Sequence, residues 1–396
     1  MSKLSVTFLV MLVCGGQQLR AADADSQQQG LNRPVTSQEV QQLQHEISDS
    51  SSSTVEGIFG YHQESGDVNN KLNFFRYGAQ VNYLWKPSTV VYLRGVGTSY
   101  LTLGDVLNEH GFNGTGGIRV SLSDAVEFQA EAGGTHFSTD SATVNAMGTI
   151  RYKSSGGSSL YATFTRSNVE ESLLSTTGIH PIFGPFAGQL VGQVMDNRGV
   201  GGGLLKLTRR LDVSGEGGGG VRTGQNVESN GFRTASAGAG FNIIAGPDES
   251  SLNLLRVSYG LQYFGFDENL FGFGGASLTT SHGRPVPVAL LGTDGISPVA
   301  SPGNPGVGGY FSPENFVSNV GRLELRGRPH PNVQYDISGF LGAQDYTGST
   351  MRVVNGFFGS LTLRLNDRVS VPIVYMYDNV GPFTQQSVFA RLAVKF

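Results

Sequence analysis

The sequence has almost no cysteine. Cys14 is the single one in 396 residues. It falls in an amino-terminal segment expected to be removed, so the mature chain has no disulfide framework, thiolate nucleophile or cysteine zinc site. Charge is also scarce. Only 15% of residues are Asp, Glu, Lys or Arg, the formal net charge is −4, and no basic block stands out, which argues against nucleic acid as a partner. Beyond residues 4–13 no long apolar run occurs, so no second segment reads as a membrane-spanning helix. Catalytic signatures are missing as well. There is no Gly-x-Ser-x-Gly elbow, no His-Glu-x-x-His and no Gly-x-x-x-x-Gly-Lys, the patterns that place a nucleophile, a metal or a phosphate. His45, His62, His110, His136, His180, His282 and His330 are scattered without ligand spacing, and His180-Pro181 and His330-Pro331 read as turns. No catalytic residue, metal site or cofactor is expected.

Glycine and aromatic residues are abundant, with 57 Gly, 24 Phe and 14 Tyr against one Trp. At 38% hydrophobic the chain is too apolar for a disordered protein, yet its apolar residues are spread rather than run together. A transmembrane β-barrel has this composition, because alternate residues face lipid and water and cancel in any local average. Residues 4–13 follow Lys3 and precede the small residues around Ala22 and Ala24. They read as the core of a secretory signal over 1–24. Residues 25–53 are rich in Gln and Ser and read as a periplasmic tether, or more plainly as a solvated leader without function. Within it Thr36 and Glu39 have capping-box spacing, and Val40, Leu43 and Ile47 recur at helical intervals, which predicts a short helix over 37–47.

From residue 54 to 396 the pattern is one of extended segments between polar and glycine-rich breaks. Candidate strands are 54–64, 72–85, 89–101, 114–122, 125–137, 143–152, 158–168, 191–208, 211–223, 231–243, 252–264, 314–326, 332–343, 351–365, 368–378 and 384–396. Their connections alternate. One set is tight, at 86–88, 123–124, 153–157, 209–210, 245–251, 327–331 and 366–367; the interleaved set is mostly longer, at 65–71, 102–113, 169–190, 224–230 and 265–313. Short periplasmic turns with longer outer loops are the habit of outer-membrane barrels, and an even strand number returns both ends to one side. The expected class is therefore all-β, a transmembrane antiparallel up-and-down barrel of about 16 strands.

Side-chain alternation divides the strands into two faces. Val126, Phe128 and Ala130 alternate with Glu127, Gln129 and Glu131; Leu255, Val257 and Tyr259 alternate with Arg256 and Ser258. A charge turned to lipid near midplane costs about 2 to 4 kcal/mol, so the charged row is expected to face an aqueous bore. The predicted lining is Arg94, Arg119, Glu127, Glu131, Arg256, Arg322, Glu324, Arg326, Asp336, Arg364 and Arg391. Such a mixed-sign lining suits a neutral, hydroxyl-rich chain better than an ion. The last strand sets Val388, Ala390, Leu392, Val394 and Phe396 on one face and Ser387, Arg391 and Lys395 on the other. Its terminal Phe396 resembles the end of bacterial outer-membrane barrels, which implies recognition by their assembly machinery. The glycine runs 199–203 and 217–220 lie in strand patterns with no helix following, so tight packing or bends in the wall is their reading.

One stretch is more specific. Gly308-Gly309-Tyr310-Phe311-Ser312-Pro313-Glu314 enters a strand and is preceded by Tyr263-Phe264-Gly265-Phe266-Asp267-Glu268-Asn269-Leu270. This resembles the carboxyl-terminal barrel of the cellulose synthase operon outer-membrane exporters, with a looser likeness at 47–61 and 188–207. The resemblance implies a sixteen-stranded barrel in the bacterial outer membrane that passes a nascent linear glucan outward. It departs from that family in a longer loop, 275–305, and in the missing tetratricopeptide array. A separate periplasmic tetratricopeptide protein or synthase complex stays open as a partner. Gly308 and Gly309 allow unusual backbone angles and Pro313 fixes the entry to the next strand. Tyr310 and Phe311 offer a stacking surface for sugar or, alternatively, an anchor for the loop. A general diffusion porin and a structural barrel with a plugged lumen are the competing readings.

Overall fold

The computed structural model describes residues 52–65, 72–101, 108–178, 180, 188–247, 250–268, 278–279, 285–286, 310–347, 349–380 and 383–396. The expected signal, the tether with its helix over 37–47, and the motif residues Gly308 and Gly309 lie outside the described residues, Ser52 and Ser53 excepted.

The strands are β1 (Thr54–Ser65), β2 (Asn73–Lys86), β3 (Thr89–Leu101), β4 (Asn108–Ser121), β5 (Val126–Phe137), β6 (Ala142–Lys153), β7 (Ser159–Asn168), β8 (Gly192–Lys206) and β9 (Leu211–Gln225). They continue with β10 (Val227–Ala245), β11 (Leu254–Phe266), the short pair β12 (Leu278–Thr279) and β13 (Pro285–Val286), β14 (Phe316–His330), β15 (Val333–Tyr346), β16 (Arg352–Arg364), β17 (Val369–Val380) and β18 (Phe383–Lys395). All but β12 and β13 join in one closed ring of sixteen, each strand beside its sequence neighbour, with β1 sealed against β18. Every pairing in it is antiparallel, as expected. A four-residue helix, α1 (Leu173–Thr176), lies in the connection from β7 to β8.

The outward face is apolar. Large side chains such as Phe59, Leu93, Phe112 and Leu341 project from it, which in a bilayer puts them in hydrocarbon. Aromatic rings mark both ends, Tyr83, Trp85 and Phe396 near the tight turns and Phe75, Tyr77 and Phe112 toward the longer connections, the girdles such barrels place at each interface.

Two connections are shorter than the sequence pattern predicts. β4 begins at Asn108 rather than 114, and β9 and β10 run on to meet at a single residue, Asn226, with φ 52°. Polar residues there were read as loop, but ladder hydrogen bonds hold the backbone extended whatever the side chain. Asn tolerates the left-handed turn.

Candidate functional site in the barrel lumen

The lumen has two halves, one toward the tight turns, the start of β1 and the end of β18, here the inner half, and one toward the longer connections. In the inner half the predicted charges face the bore and pair along the wall. Arg94 donates to Glu131 at 2.8 Å, and Tyr92 donates to the same carboxylate. Arg256 grips Asp212 with two nitrogens, at 2.5 and 2.6 Å. Arg326 lies between Asp336 at 3.0 Å and Glu324 at 3.3 Å, and Arg391 reaches Glu56 at 3.1 Å. Glu127 stands 3.9 Å from Arg151. Arg119 and Arg322 are also buried on this surface, Arg322 over the ring of Phe340. Each pair lies within one strand, as Arg326 with Glu324, or spans adjacent or next-but-one strands, so the charges coat the wall and do not converge on one point. Arg364 differs. It is the last residue of β16 and is exposed at the inner rim, too near the strand end to line the bore.

The outer half is filled rather than lined. The connection after β7 turns into the barrel at Val169, forms α1 and returns to β8. Ser172 caps the helix and exchanges hydrogen bonds with Ser175 in a capping box; Gly178 ends it at φ 71°. Gly192, at φ 95°, opens β8 where an added Cβ would lie 2.1 Å from the Leu174 carbonyl, so only glycine lets the helix sit that close. Asn168 donates to Thr176 O and Thr139 to Thr177 O, tying the segment to the wall.

Two adjacent carboxylates in this connection hold opposite sides of the ring. Glu170 accepts from Arg76 of β2 at 2.8 and 2.9 Å, while Glu171 Oε1 lies 2.9 Å from Arg222 Nη1 of β9. β2 and β9 stand seven places apart in the ring of sixteen, so the segment crosses the bore almost along a diameter. Arg222 is 1% exposed and also lies 3.7 Å from Asp196. Its contact with Glu171 is a close, buried ion pair.

The motif Tyr310-Phe311-Ser312 joins this crossing. Phe311 N–H donates to Glu171 at 2.6 Å. Both rings are buried, Tyr310 at 1% and Phe311 at 2% exposure. Phe311 meets Phe264, Phe316 and Tyr346 edge-on, Tyr310 packs by Phe266, and the Arg222 guanidinium lies 4.6 Å over the Tyr310 ring. Burial pushes the Tyr310 phenol up to about 12, against the pull of Arg222. In this arrangement the rings are an anchor in an aromatic cluster and present no open face for stacking a sugar. Of the two readings of the motif, the packing fits the anchor.

Reading by alternation passed over Glu170, Glu171, Arg76 and Arg222. Arg76 and Arg222 sit on the inward parity of their strands and could have been added to the lining. Glu170-Glu171-Ser172, acids leading into a helix cap within a long connection, was the available signal for the crossing. Among the described residues no group of three or more His, Cys, Asp or Glu could hold a metal.

A closed antiparallel ring, apolar outside and charged within, with the start of β1 and the end of β18 at the tight-turn side, defines a bacterial outer-membrane β-barrel. Residues 89–275, β3 through β11, match the family described as Cellulose synthase operon protein C C-terminus. Its fold is similar to that of a bacterial polysaccharide outer membrane secretin, with TM-score 0.59 and 13% identity, covering 87% of this chain and 98% of that one. More distant are CdiB from Acinetobacter baumannii, TM-score 0.42, 10% identity, covering 86% and 60%, and the translocator domain of autotransporter NalP from Neisseria meningitidis, TM-score 0.35, 9% identity, covering 91% and 95%. No curated protein sequence matches the chain.

Proposed function

We propose that this protein is an outer-membrane export pore for a linear polysaccharide of the cellulose-like β-glucan class, and that it performs no chemistry itself. The observation that carries the reading is the inner lining. Its arginines and carboxylates are paired with each other, as in Arg94 with Glu131 and Arg326 with Asp336, so no net field selects an ion. The remaining donors and acceptors suit sugar hydroxyls. The family match and the likeness to a polysaccharide secretin point the same way. Arg119, Glu127, Arg256, Arg322, Glu324 and Arg391 complete the surface that the glycan passes. The crossing by Glu170 and Glu171 favours a bore closed until used over a general diffusion porin. In this reading residues 1–24 are the export signal and 25–53 the periplasmic tether. Assembly machinery recognises Phe396, and a periplasmic tetratricopeptide protein or synthase complex delivers the chain.

Planar-bilayer conductance tests this with the intact protein and with Glu170→Gln/Glu171→Gln. We expect a small conductance in the first, a clear increase in the second, and block of the opened channel by cello-oligosaccharides that tightens with their length. A wide conductance in the intact protein blocked alike by any sugar means a porin. No conductance in either form means a structural barrel.

A further inference from the structure

The charge segregation on which the barrel depends is broken on one side. Arg166 of β7 and Arg233 of β10 point outward, between inward neighbours such as Thr165, Ser167 and Phe232 that are buried. Arg166 is held by Val144 O at 3.1 Å and by Asn197 Oδ1; Arg233 is exposed and has no hydrogen-bond or ion-pair partner among the described residues. Both lie toward the outer end. Arg166 is two residues from the end of β7, and Arg233 pairs with Gly265, next to the last residue of β11. There a lipid-facing cation costs little.

The wall between them is bare. In the ladder row of Arg233 stand Gly219, Gly199 and Phe164, and in the row below it Gly217 and Gly201. At Gly199 an added Cβ would meet nothing within 4 Å; at Gly201, Gly215 and Gly217 the nearest atom would be 3.8 to 3.9 Å away. None of the four has a positive φ. The inward glycines of the same runs are different, since at Gly218 and Gly220 a Cβ would lie 2.2 and 2.1 Å from a neighbouring carbonyl oxygen. Tight packing also holds at the outward Gly203 and Gly219, where a Cβ would lie 2.6 Å from Leu160 Cδ2 and from Phe232 O, and it leaves Gly199, Gly201, Gly215 and Gly217 unexplained. Outward glycines with open space occur elsewhere, at Gly114 and at Gly148; Gly148 pairs with Phe164 and so lies on the other side of Arg166, where it extends the open wall to β6. The bare panel runs down to Leu160, where it opens into a hollow of about 470 Å³ lined by Tyr152, Leu160, Leu205 and Val213 over Gly203 and Gly215.

We infer that this face binds one phosphorylated, acylated lipid of the outer leaflet, its phosphates on Arg166 and Arg233 and its chains in the glycine trough. Three strand spacings and a two-residue offset separate the two arginines, about 16 Å in all, a span for two phosphates rather than one. From Arg166 to Leu160 the trough runs about 20 Å along a strand, which at the usual barrel tilt is about 15 Å of depth, one leaflet of hydrocarbon. Guanidinium is the side chain that takes phosphate in a two-point contact. Asp267, beside Gly231 on the same row as Arg166, and Glu268 after it are nearby acids that limit how far the headgroup spreads toward β11.

The test is thermal unfolding of the full-length refolded protein in neutral detergent, titrated with diphosphoryl lipid A, with an uncharged diacylglycerol, and with inorganic phosphate. Diphosphoryl lipid A should raise the midpoint saturably, and the other two should not. Arg166→Gln/Arg233→Gln should need at least about tenfold more lipid for half the shift, the loss of about 1.4 kcal/mol of binding. Gly199→Leu/Gly217→Leu, which fills the trough and leaves both cations, should weaken it as well, with the lipid-free midpoint of both variants unchanged. An equal shift from the uncharged lipid, an undiminished shift in both variants, or a cross-linked dimer through this face in place of lipid binding would each overturn the inference. Conductance plays no part in this readout, so its outcome is independent of the export reading.

Discussion

In the inner half of the lumen a guanidinium is answered from the wall itself, Arg326 by Asp336 on the next strand and Arg94 by Glu131 two strands on. In the outer half Arg76 and Arg222 are answered by Glu170 and Glu171, which belong to a connection laid across the bore. The same pairing chemistry therefore has opposite effects. Wall-to-wall pairs keep the passage lined and clear, whereas wall-to-insert pairs fill it, and the aromatic cluster around Phe264, Phe311 and Phe316 completes the fill. Burial does not separate the two halves, since Arg94 and Arg256 on the inner wall are as buried as Arg76; Arg326 is the wettest of them, its side chain keeping 31% of its surface.

Substitutions can break or sharpen that contrast. The largest effect should come from Arg222→Ala, which leaves Glu171 as a buried carboxylate without its cation and Asp196 with Arg198 alone, 4.0 Å away. Breaking such a pair from one side costs about 3 to 5 kcal/mol. We expect a lower unfolding midpoint together with a larger conductance; a midpoint and conductance equal to wild type would mean that the crossing is not held there. Next is Phe311→Ala, a core truncation of about 3 kcal/mol. Its effect should be less than additive with Phe316→Ala, because the two rings touch, and additivity would place the rings in independent sites. The smallest effect belongs to the inner wall. Arg326→Gln, half-wet and shared between two acids, should change stability by at most about 1 kcal/mol yet weaken block by cello-oligosaccharides once the bore is open. A loss of stability as large as that of Arg222→Ala would erase the distinction between the halves.

Much of this was legible in the sequence, for a physical reason. A strand in a bilayer must turn alternate residues to hydrocarbon, so the period-two pattern survived in Val257 and Tyr259 against Arg256, and in Leu323 against Arg322 and Glu324. Tight turns such as Lys86 to Thr89 and Asn366 to Val369 also carried their chemistry locally. Features that depend on residues far apart were not legible. Nothing near Glu170 and Glu171 indicates that they meet β2 and β9. Tyr310 and Phe311 were read with two possible roles because burial comes from partners on β11, β14 and β15. Arg364 obeyed the alternation and still misled, since parity gives the face of a residue and not its depth.

The pairing of β1 with β18 runs without a break from Thr54 opposite Lys395 to Ser65 opposite Thr384, and Phe396 N–H donates to Ser53 O at 3.0 Å. This seam joins the two most distant parts of the described chain, so it can be zipped only after every other hairpin has found its neighbour. Until then the nascent sheet carries two raw edges, each a template for a foreign strand. A slip of one residue along the seam would present Leu392 to the bore and Arg391 to hydrocarbon. The fidelity of this final zip therefore decides whether the nascent sheet becomes a cylinder or an aggregate.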